Sequence, residues 1–249
     1  MTTGMDPASV QALERIADNA WPAEVREQLG GWILNAADGF SGRLNACWPL
    51  GDLPAGLPLA AAVDRVELWY RRRGLPPLFK LLDQDVALAD ILRSRGYQPR
   101  TPTLVMTGPA PKGLSPGRVV VNRTAEAAFE AVFLGVQGDP ADAAERMAAF
   151  RRIPEPRFFA RIDAAGQPVA IGAACAHGGH VGLFGMRTLA SHRRQGMAAD
   201  IVSALLVAGA GAGAQGAYLQ VEAGNQAAIA LYRGLGFSAA YQYLYWARA

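Results

Sequence analysis

Lysine is almost missing from this chain. Lys80 and Lys112 are the only two in 249 residues, so the positive charge rests on arginine. The formal balance is +3 and the pI is near 9.1, too small an excess to point to a polyanion, and no nucleic-acid partner is expected. Cysteine is equally scarce. Cys47 and Cys175 form no metal spacing and two cysteines make no disulfide framework, so no metal is expected either. No stretch approaches the ~18 consecutive apolar residues that a membrane span needs. The opening MTTGMDPASV lacks the basic-then-apolar pattern of a signal peptide. These absences give the expectation of a cytoplasmic chain with no membrane partner; they leave the oligomeric state open.

What is present describes a soluble globule, with 51% hydrophobic and 18% charged residues. The length suits one large domain or two of roughly 100–150 residues. The clearest break is TGPAPKGLSPG, Thr107–Gly117, whose prolines and glycines cannot sustain a helix or a central strand. It divides the chain into residues 1–108, a linker at 109–117, and residues 118–249.

The later part alternates clearly. RVVVN (118–122) predicts a short strand, and AEAAFEAVFLGV after it has helical spacing. RFFARID (157–163) and QPVAIGAACAHG (167–178) predict a hairpin, and HVGLFGMRT (180–188) a further strand. Residues 196–208 carry an amphipathic helix pattern through Met197, Ile201, Leu205 and Ala208. AYLQVE then predicts a strand, NQAAIALYRGLG a helix capped by Asn225, and YQYLYWA a last strand. The order β-α-β-β-β-α-β-α-β is that of an α+β (α/β sandwich) fold, with helices against a mixed sheet. In the earlier part, GGWILNAADGFSGRLNACW predicts a hairpin around Asp38-Gly39, LAAAVDRVELWYRRRG and ALADILRSRGYQP predict helices, and TPTLVM a strand. LWYRRRGL (68–75) and LYRGLGF (231–237) share an aromatic–glycine pattern that hints at internal duplication.

One stretch, Arg193-Arg194-Gln195-Gly196-Met197-Ala198, places cations and a glycine where a strand gives way to a helix. Helix N-termini carry unpaired N–H groups and partial positive charge. With Gly196 clearing the Cβ that would block approach, such a turn is an anion cradle. A solvated basic loop is the competing reading. GAGAGAQG (209–216) offers no rival phosphate site, because it follows a helix and precedes a strand, the reverse of a dinucleotide fingerprint.

Arg193, Gly196 and Ala198 fit Arg-x-x-Gly-x-Ala. Downstream, Asn225, Ala228, Leu231, Tyr232, Gly236 and Phe237 fit Asn-x-x-Ala-x-x-Leu-Tyr followed by Gly-Phe. On these residues the segment from about Val169 to Tyr245 resembles the GNAT superfamily of acyl-CoA-dependent N-acyltransferases. The resemblance implies a mixed, mostly antiparallel sheet flanked by helices, acetyl-CoA as co-substrate and an amine acceptor. Residues 1–106 contain no second Arg-x-x-Gly-x-Gly/Ala. The chain therefore resembles a tandem form, whose N-terminal copy has lost its cofactor loop and either shapes a substrate cleft or only supports its neighbour.

The same resemblance assigns site residues. Met186, Arg187 and Thr188 would pair through their backbone with the pantetheine arm. The diphosphate would sit on amides from Arg194, Gln195, Gly196, Met197, Ala198 and Ala199, with Arg193 at the rim. Asn225 would hold the pantetheine or cap its helix, roles that can coexist. The chemistry implied is direct attack of an amine on the thioester, and Tyr232 matches the family's general acid; a core aromatic is the alternative. For the base, Glu222 is the nearest carboxylate to the expected cleft, with a merely solvent-facing side chain as the alternative. His177 and His180, which titrate near neutrality, flank a turn. Tyr241, Tyr243 and Tyr245 share one strand face and suggest packing or a lining between halves. An acyl-CoA-binding sensor with little turnover is the second functional class left open.

Overall fold

The structure is a computed structural model that describes residues 5–111, 113, 115–135 and 139–248. Lys112 and Leu114 of the expected linker, and Val136 of the first predicted helix, lie outside the described residues. The chain first forms α1 (Pro7–Ala20), β1 (Val25–Leu29), β2 (Trp32–Ala36), β3 (Cys47–Pro49), α2 (Leu59–Arg71), β4 (Phe79–Leu82), α3 (Val86–Ser94) and β5 (Tyr97–Pro109). It continues with β6 (Val119–Asn122), α4 (Ala127–Gly135), α5 (Pro140–Arg152), β7 (Arg157–Ala164), β8 (Gln167–His177) and β9 (His180–Thr188). It ends with α6 (Met197–Gly211), β10 (Gly216–Glu222), α7 (Gln226–Gly234) and β11 (Ser238–Arg248). The expected mixed, mostly antiparallel sheet flanked by helices is what the chain builds. Among the described residues no helix is long and apolar enough to cross a membrane.

All the strands share one sheet, in the order β1-β2-β3-β4-β11-β5-β10-β9-β8-β7-β6. The C-terminal strand β11 sits between β4 and β5, and β5 sits between β11 and β10. Away from this central pair the two sides match. β3 runs parallel to β4 as β9 does to β10, while β1·β2, β2·β3, β7·β8 and β8·β9 are antiparallel. Both β4·β11 and β10·β5 are antiparallel as well. Apart from the extra edge strand β6, the pairing pattern is the same read from either end.

Two features differ from the sequence reading. β5 continues through Thr107 and Gly108 to Pro109, paired with Gly216–Tyr218 of β10, so the chain leaves the sheet later than the proline-glycine composition suggests. Proline is tolerated there because it ends the strand, past the last residue that pairs with β11, Thr107. The antiparallel pairing expected across Asp38-Gly39 forms between β2 and β3, but through the longer connection Ala37–Ala46 with a 3-10 turn at Gly42–Leu44, and a tighter hairpin at Gly30-Gly31 joins β1 to β2.

Helix starts follow their caps. The Asp6 carboxylate accepts from Ser9 N at 3.0 Å ahead of Pro7, and Asp139 accepts from Ala141 N at 2.8 Å ahead of Pro140. One buried cluster lies among the N-terminal elements around Trp32, Val66, Tyr70 and Phe79, and another among the C-terminal ones around Ile201, Leu205, Leu219 and Phe237. A third joins them: Trp21 of the first part packs edge-on against Phe150 at 4.9 Å and stacks on Phe184 at 5.0 Å. Truncating an aromatic of this cluster would cost ~3–5 kcal/mol, so the two parts are welded by core packing as well as by the sheet.

Candidate functional site

The parallel ladder between β9 and β10 is short. It pairs His180, Val181 and Gly182 with Gly216, Ala217 and Tyr218, and then stops. Their outer edges stay occupied, by β8 as far as Thr188↔Ala170 and by β5 as far as Glu222↔Thr103. Only the facing edges are released. Between them lies a cavity of about 770 Å³, with Met186, Arg187 and Thr188 on one wall and Leu219, Gln220 and Glu222 on the other. A bulge in β9 helps turn this wall. Ile171 pairs with Arg187 but Ala173 pairs with Phe184, so Gly172 faces both Gly185 and Met186. Gly185 has φ 60°, and a Cβ on it would lie 2.2 Å from Phe150, so only glycine fits. The three strand residues chosen from the sequence thus stand together at an open backbone edge.

From Thr188 the chain passes through a 3-10 turn, Ala190–His192, into α6. Arg194 (φ 64°) and Gly196 (φ 75°) are both left-handed, which folds the turn back over the helix start. The first helical bond is Asp200 N to Gly196 O at 3.1 Å, leaving the amides from Gln195 to Ala199 without acceptors among the described residues. Arg193 and Arg194 are exposed beside them. Met197 is buried in the core and offers only its backbone, while Ala198 lines the large cavity. Arg193 lines an adjoining cavity of about 650 Å³ together with Met186, Arg187 and Thr188, and its Nε donates to Thr188 O at 3.3 Å. The sequence reading missed Arg118. Its Nη2 donates to Gln195 O at 3.1 Å, and it pairs with Asp200, bracing the turn and neutralising the one carboxylate in the first turn of α6. Converging amides, a missing Cβ and compensated acid make this turn fit a diphosphate.

Across the cavity stands Tyr232 on α7, only 8% exposed, its ring against Phe237 at 6.1 Å between centroids. Among the described residues its hydroxyl has no hydrogen-bond partner, while its ring belongs to the buried core of the C-terminal elements. Burial raises its pKa above the usual 10, partly opposed by the Arg43 and Arg187 guanidiniums, and the phenol stays protonated at neutral pH. Asn225 caps α7, its Oδ1 accepting from Ala228 N at 3.1 Å, and also lines the cavity. Val221 faces the core, so Glu222 is exposed on the opposite face at the strand end, bordering the same cavity. His177 and His180 lie elsewhere, at the other end of β8 and β9: His177 Nε2 is 3.4 Å from Asn19 Nδ2, and His180 Nδ1 is 3.1 Å from Gly178 O. Of the tyrosine row, Tyr243 and Tyr245 line the cavity with hydroxyls 3.4 Å apart, and Tyr241 donates to the buried Glu14 at 2.7 Å.

The cavity has a third wall that the sequence did not reveal. Trp21, Phe40, Ser41, Gly42, Arg43 and Leu78 reach it from the N-terminal part. The loop bearing Arg43 is fixed by Glu145 of α5, 1% exposed, which accepts from Ser41 N at 2.6 Å, Asn45 Nδ2 at 2.9 Å and Phe40 N at 3.1 Å. Asn45 in turn accepts from Ala37 N at 2.7 Å and Gly39 N at 3.0 Å. No local pattern announces a contact over such a separation; the only sequence signal was Asp139-Pro140, a helix start that would have placed Glu145 on a helix.

Solved structures share this arrangement of chain, and curated proteins are similar in sequence. The structure of a GCN5-related N-acetyltransferase from Kribbella flavida superposes with a TM-score of 0.69 at 19% identity, covering 99% of this chain and 96% of that one. The structure described as a tandem GNAT protein from the clavulanic acid biosynthesis pathway gives 0.61 at 13% identity, covering 98% and 89%. Both share the fold. The Bacillus subtilis (strain 168) protein YobR, described as an uncharacterized N-acetyltransferase, is 26% identical over 245 residues, 92% of this chain and 94% of its own. The family model described as probable histone acetyltransferase Rv0428c C-terminal matches residues 7–246, and the chain belongs to that family of GNAT-type N-acetyltransferases.

Proposed function

We propose that this enzyme moves an acetyl group from acetyl-CoA to a primary amine of a small molecule or peptide, by direct attack within a ternary complex. One observation carries the reading. The open edge of β9, the amide-rich start of α6 and the protonated hydroxyl of Tyr232 all border a single cavity or lead into it. In this reading Met186, Arg187 and Thr188 hold the pantetheine arm through N–H and C=O groups. The amides from Arg194 to Ala199 hold the diphosphate, with Arg193 at the rim, and Asn225 borders the arm while capping α7. Acetyl-CoA supplies the thioester. The amine nitrogen forms the new C–N bond, the C–S bond breaks, and Tyr232 donates its proton to the departing thiolate. The amine loses its proton toward Glu222, directly or through water, and Tyr232 is reprotonated from solvent.

The test is loss of the diphosphate seat. Gly196→Asp puts a carboxylate and a Cβ at a left-handed position in the cradle. It is expected to abolish acetyl-CoA binding by calorimetry and release of free thiol, while circular dichroism stays that of the unaltered chain. Unchanged affinity in a folded variant would remove the assignment.

We further infer that the chain is a tandem of two related units, residues 1–108 and 118–249, in which only the second binds the co-substrate. The matching strand order on either side of β11·β5 supports this, with α2 standing between β3 and β4 as α6 stands between β9 and β10. The connection ahead of α2, Leu50–Pro58, holds Asp52 and no lysine or arginine, and Pro58 occupies the cap. A turn with one acid and no cation repels phosphate, so the first unit serves by closing the cavity.

A further inference from the structure

The large cavity is lined by four arginines, Arg43, Arg100, Arg146 and Arg187, against one carboxylate, Glu222. Arg146 is answered by Asp142, which it contacts at 2.8 and 2.9 Å through Nε. Arg43 and Arg187 form no ion pair among the described residues. Arg43 meets the Trp21 ring, with its guanidinium carbon 5.7 Å from the centroid. Arg187 meets the Phe133 ring at 5.1 Å and donates to Met186 O at 3.3 Å. Both line the same cavity as Tyr232, and their charge partly opposes the rise in its pKa.

Arg43 is not a loose surface side chain. Its loop is held by the Glu145 carboxylate, which accepts from three donors, and by Asn45 Oδ1, which accepts from two more. A half-buried guanidinium on a preorganised loop, without a counterion, is a carboxylate receptor by geometry and charge. The phosphates of the co-substrate have their own seat at the start of α6, whereas Arg43 comes from the other unit.

We propose that the acceptor amine also carries a carboxylate, held by Arg43 together with Arg187: an amino acid, or a short peptide with a free C-terminal carboxylate. This rests on the acetyl-transfer reading above. Trp21, Phe133 and Phe150 supply an apolar wall for the rest of the acceptor, and Glu222 attracts its ammonium end. A lysine- and arginine-rich tail, such as the histone named in the family's description, meets the wrong sign of charge here.

The test uses the whole chain. N-acetyl amino acids and their carboxamides are titrated calorimetrically in the presence of coenzyme A. The carboxylate form is expected to bind about 10-fold or more tighter, the scale of a charge-assisted hydrogen bond. Arg43→Gln is expected to erase that preference, and Arg43→Lys to restore part of it. In parallel, thiol release is followed with amino acids, dipeptides, their C-terminal amides and a lysine-rich basic peptide. Arg43→Gln is expected to raise KM for the carboxylate acceptors about 10-fold or more, with acetyl-CoA affinity unchanged. Equal binding of acid and amide by the unaltered chain overturns the proposal, as does a clear preference for the basic peptide. Weakened acetyl-CoA binding in Arg43→Gln also overturns it, making Arg43 a phosphate ligand. Absence of turnover alongside carboxylate-selective, Arg43-dependent binding keeps the proposal and overturns acetyl transfer instead.

Discussion

At Tyr232 burial and chemistry point the same way. A phenol whose pKa is raised by desolvation remains a proton donor well into alkaline solution, so its protonation does not limit turnover near neutrality. Tyr232→Phe keeps the packing against Phe237 and removes only the donor. Turnover is expected to fall by roughly 10–10³-fold, within or just below the range of general acid catalysis. Acetyl-CoA affinity should shift by less than about 1 kcal/mol, since a thioester sulfur is a poor acceptor in the ground state. Steady-state kinetics with direct binding measurements decide it; binding that collapses with turnover intact would make Tyr232 a holding residue. Lys80 gives a prediction about stability. It is buried between the Trp48 and Tyr243 rings, 3.5 and 3.8 Å from their centroids, and paired with Glu14. Desolvation pulls its pKa from 10.5 to about 8, against the attraction of Glu14. Between those values the unfolded chain binds more protons than the folded one, so this lysine's contribution to stability rises as pH climbs through that window. The buried thiols Cys47 and Cys175, with raised pKa values, work in the opposite sense, so the reading must be a difference against Lys80→Met. At pH 7 that variant should lose ~3–5 kcal/mol in urea unfolding, because Glu14 is left buried and unpaired. A difference that stays flat from pH 8 to 10 would contradict the assigned pKa.

At the scale of elements, the loop between β2 and β3 depends on a helix distant in sequence. Glu145→Ala leaves two backbone amides without an acceptor and the Asn45 amide with Ser41 O alone. It is expected to cost about 2–4 kcal/mol, from the penalty for buried donors left unmade. Acceptor KM should rise with the loop's freedom while acetyl-CoA affinity holds; equal loss of both would show a general collapse instead. The same elements mark what the sequence could disclose. The turn at Gly196, the Asn225 cap and the alternation of β7 to β11 were legible because each is encoded within a few residues by periodicity, glycine or a capping side chain. The helices α1 and α5 were also locally encoded, by Asp6-Pro7 and Asp139-Pro140, and went unread, α5 because its apolar face is weakly periodic and α1 in spite of a clear one. Arg43, Trp21 and Arg118 had no such signature. Their meaning comes from contacts made across more than seventy residues of chain, as from Arg118 to Gln195 or from Glu145 to Ser41.

For the whole molecule the central pair β11·β5 decides how the parts depend on each other. Each strand pairs across the two parts of the chain, β11 against β4 and β5 against β10. Residues 1–108 expressed alone would hold β4 and β5 with nothing between them, and residues 114–249 would lack the strand between β10 and β11. Each fragment is expected to be insoluble or unfolded by circular dichroism, and co-expression to restore a soluble, acetyl-CoA-binding complex. A monomeric, folded C-terminal fragment with full affinity would refute this. The exchange also bears on inheritance. A unit that has no cofactor turn of its own would ordinarily be free to decay or be deleted. Here its removal would uncover the edge of β10 in the middle of the working sheet, inviting intermolecular pairing. In the proposed tandem the first unit would therefore be retained by topology, and its loops would be free to drift toward whatever acceptor the shared cavity comes to serve.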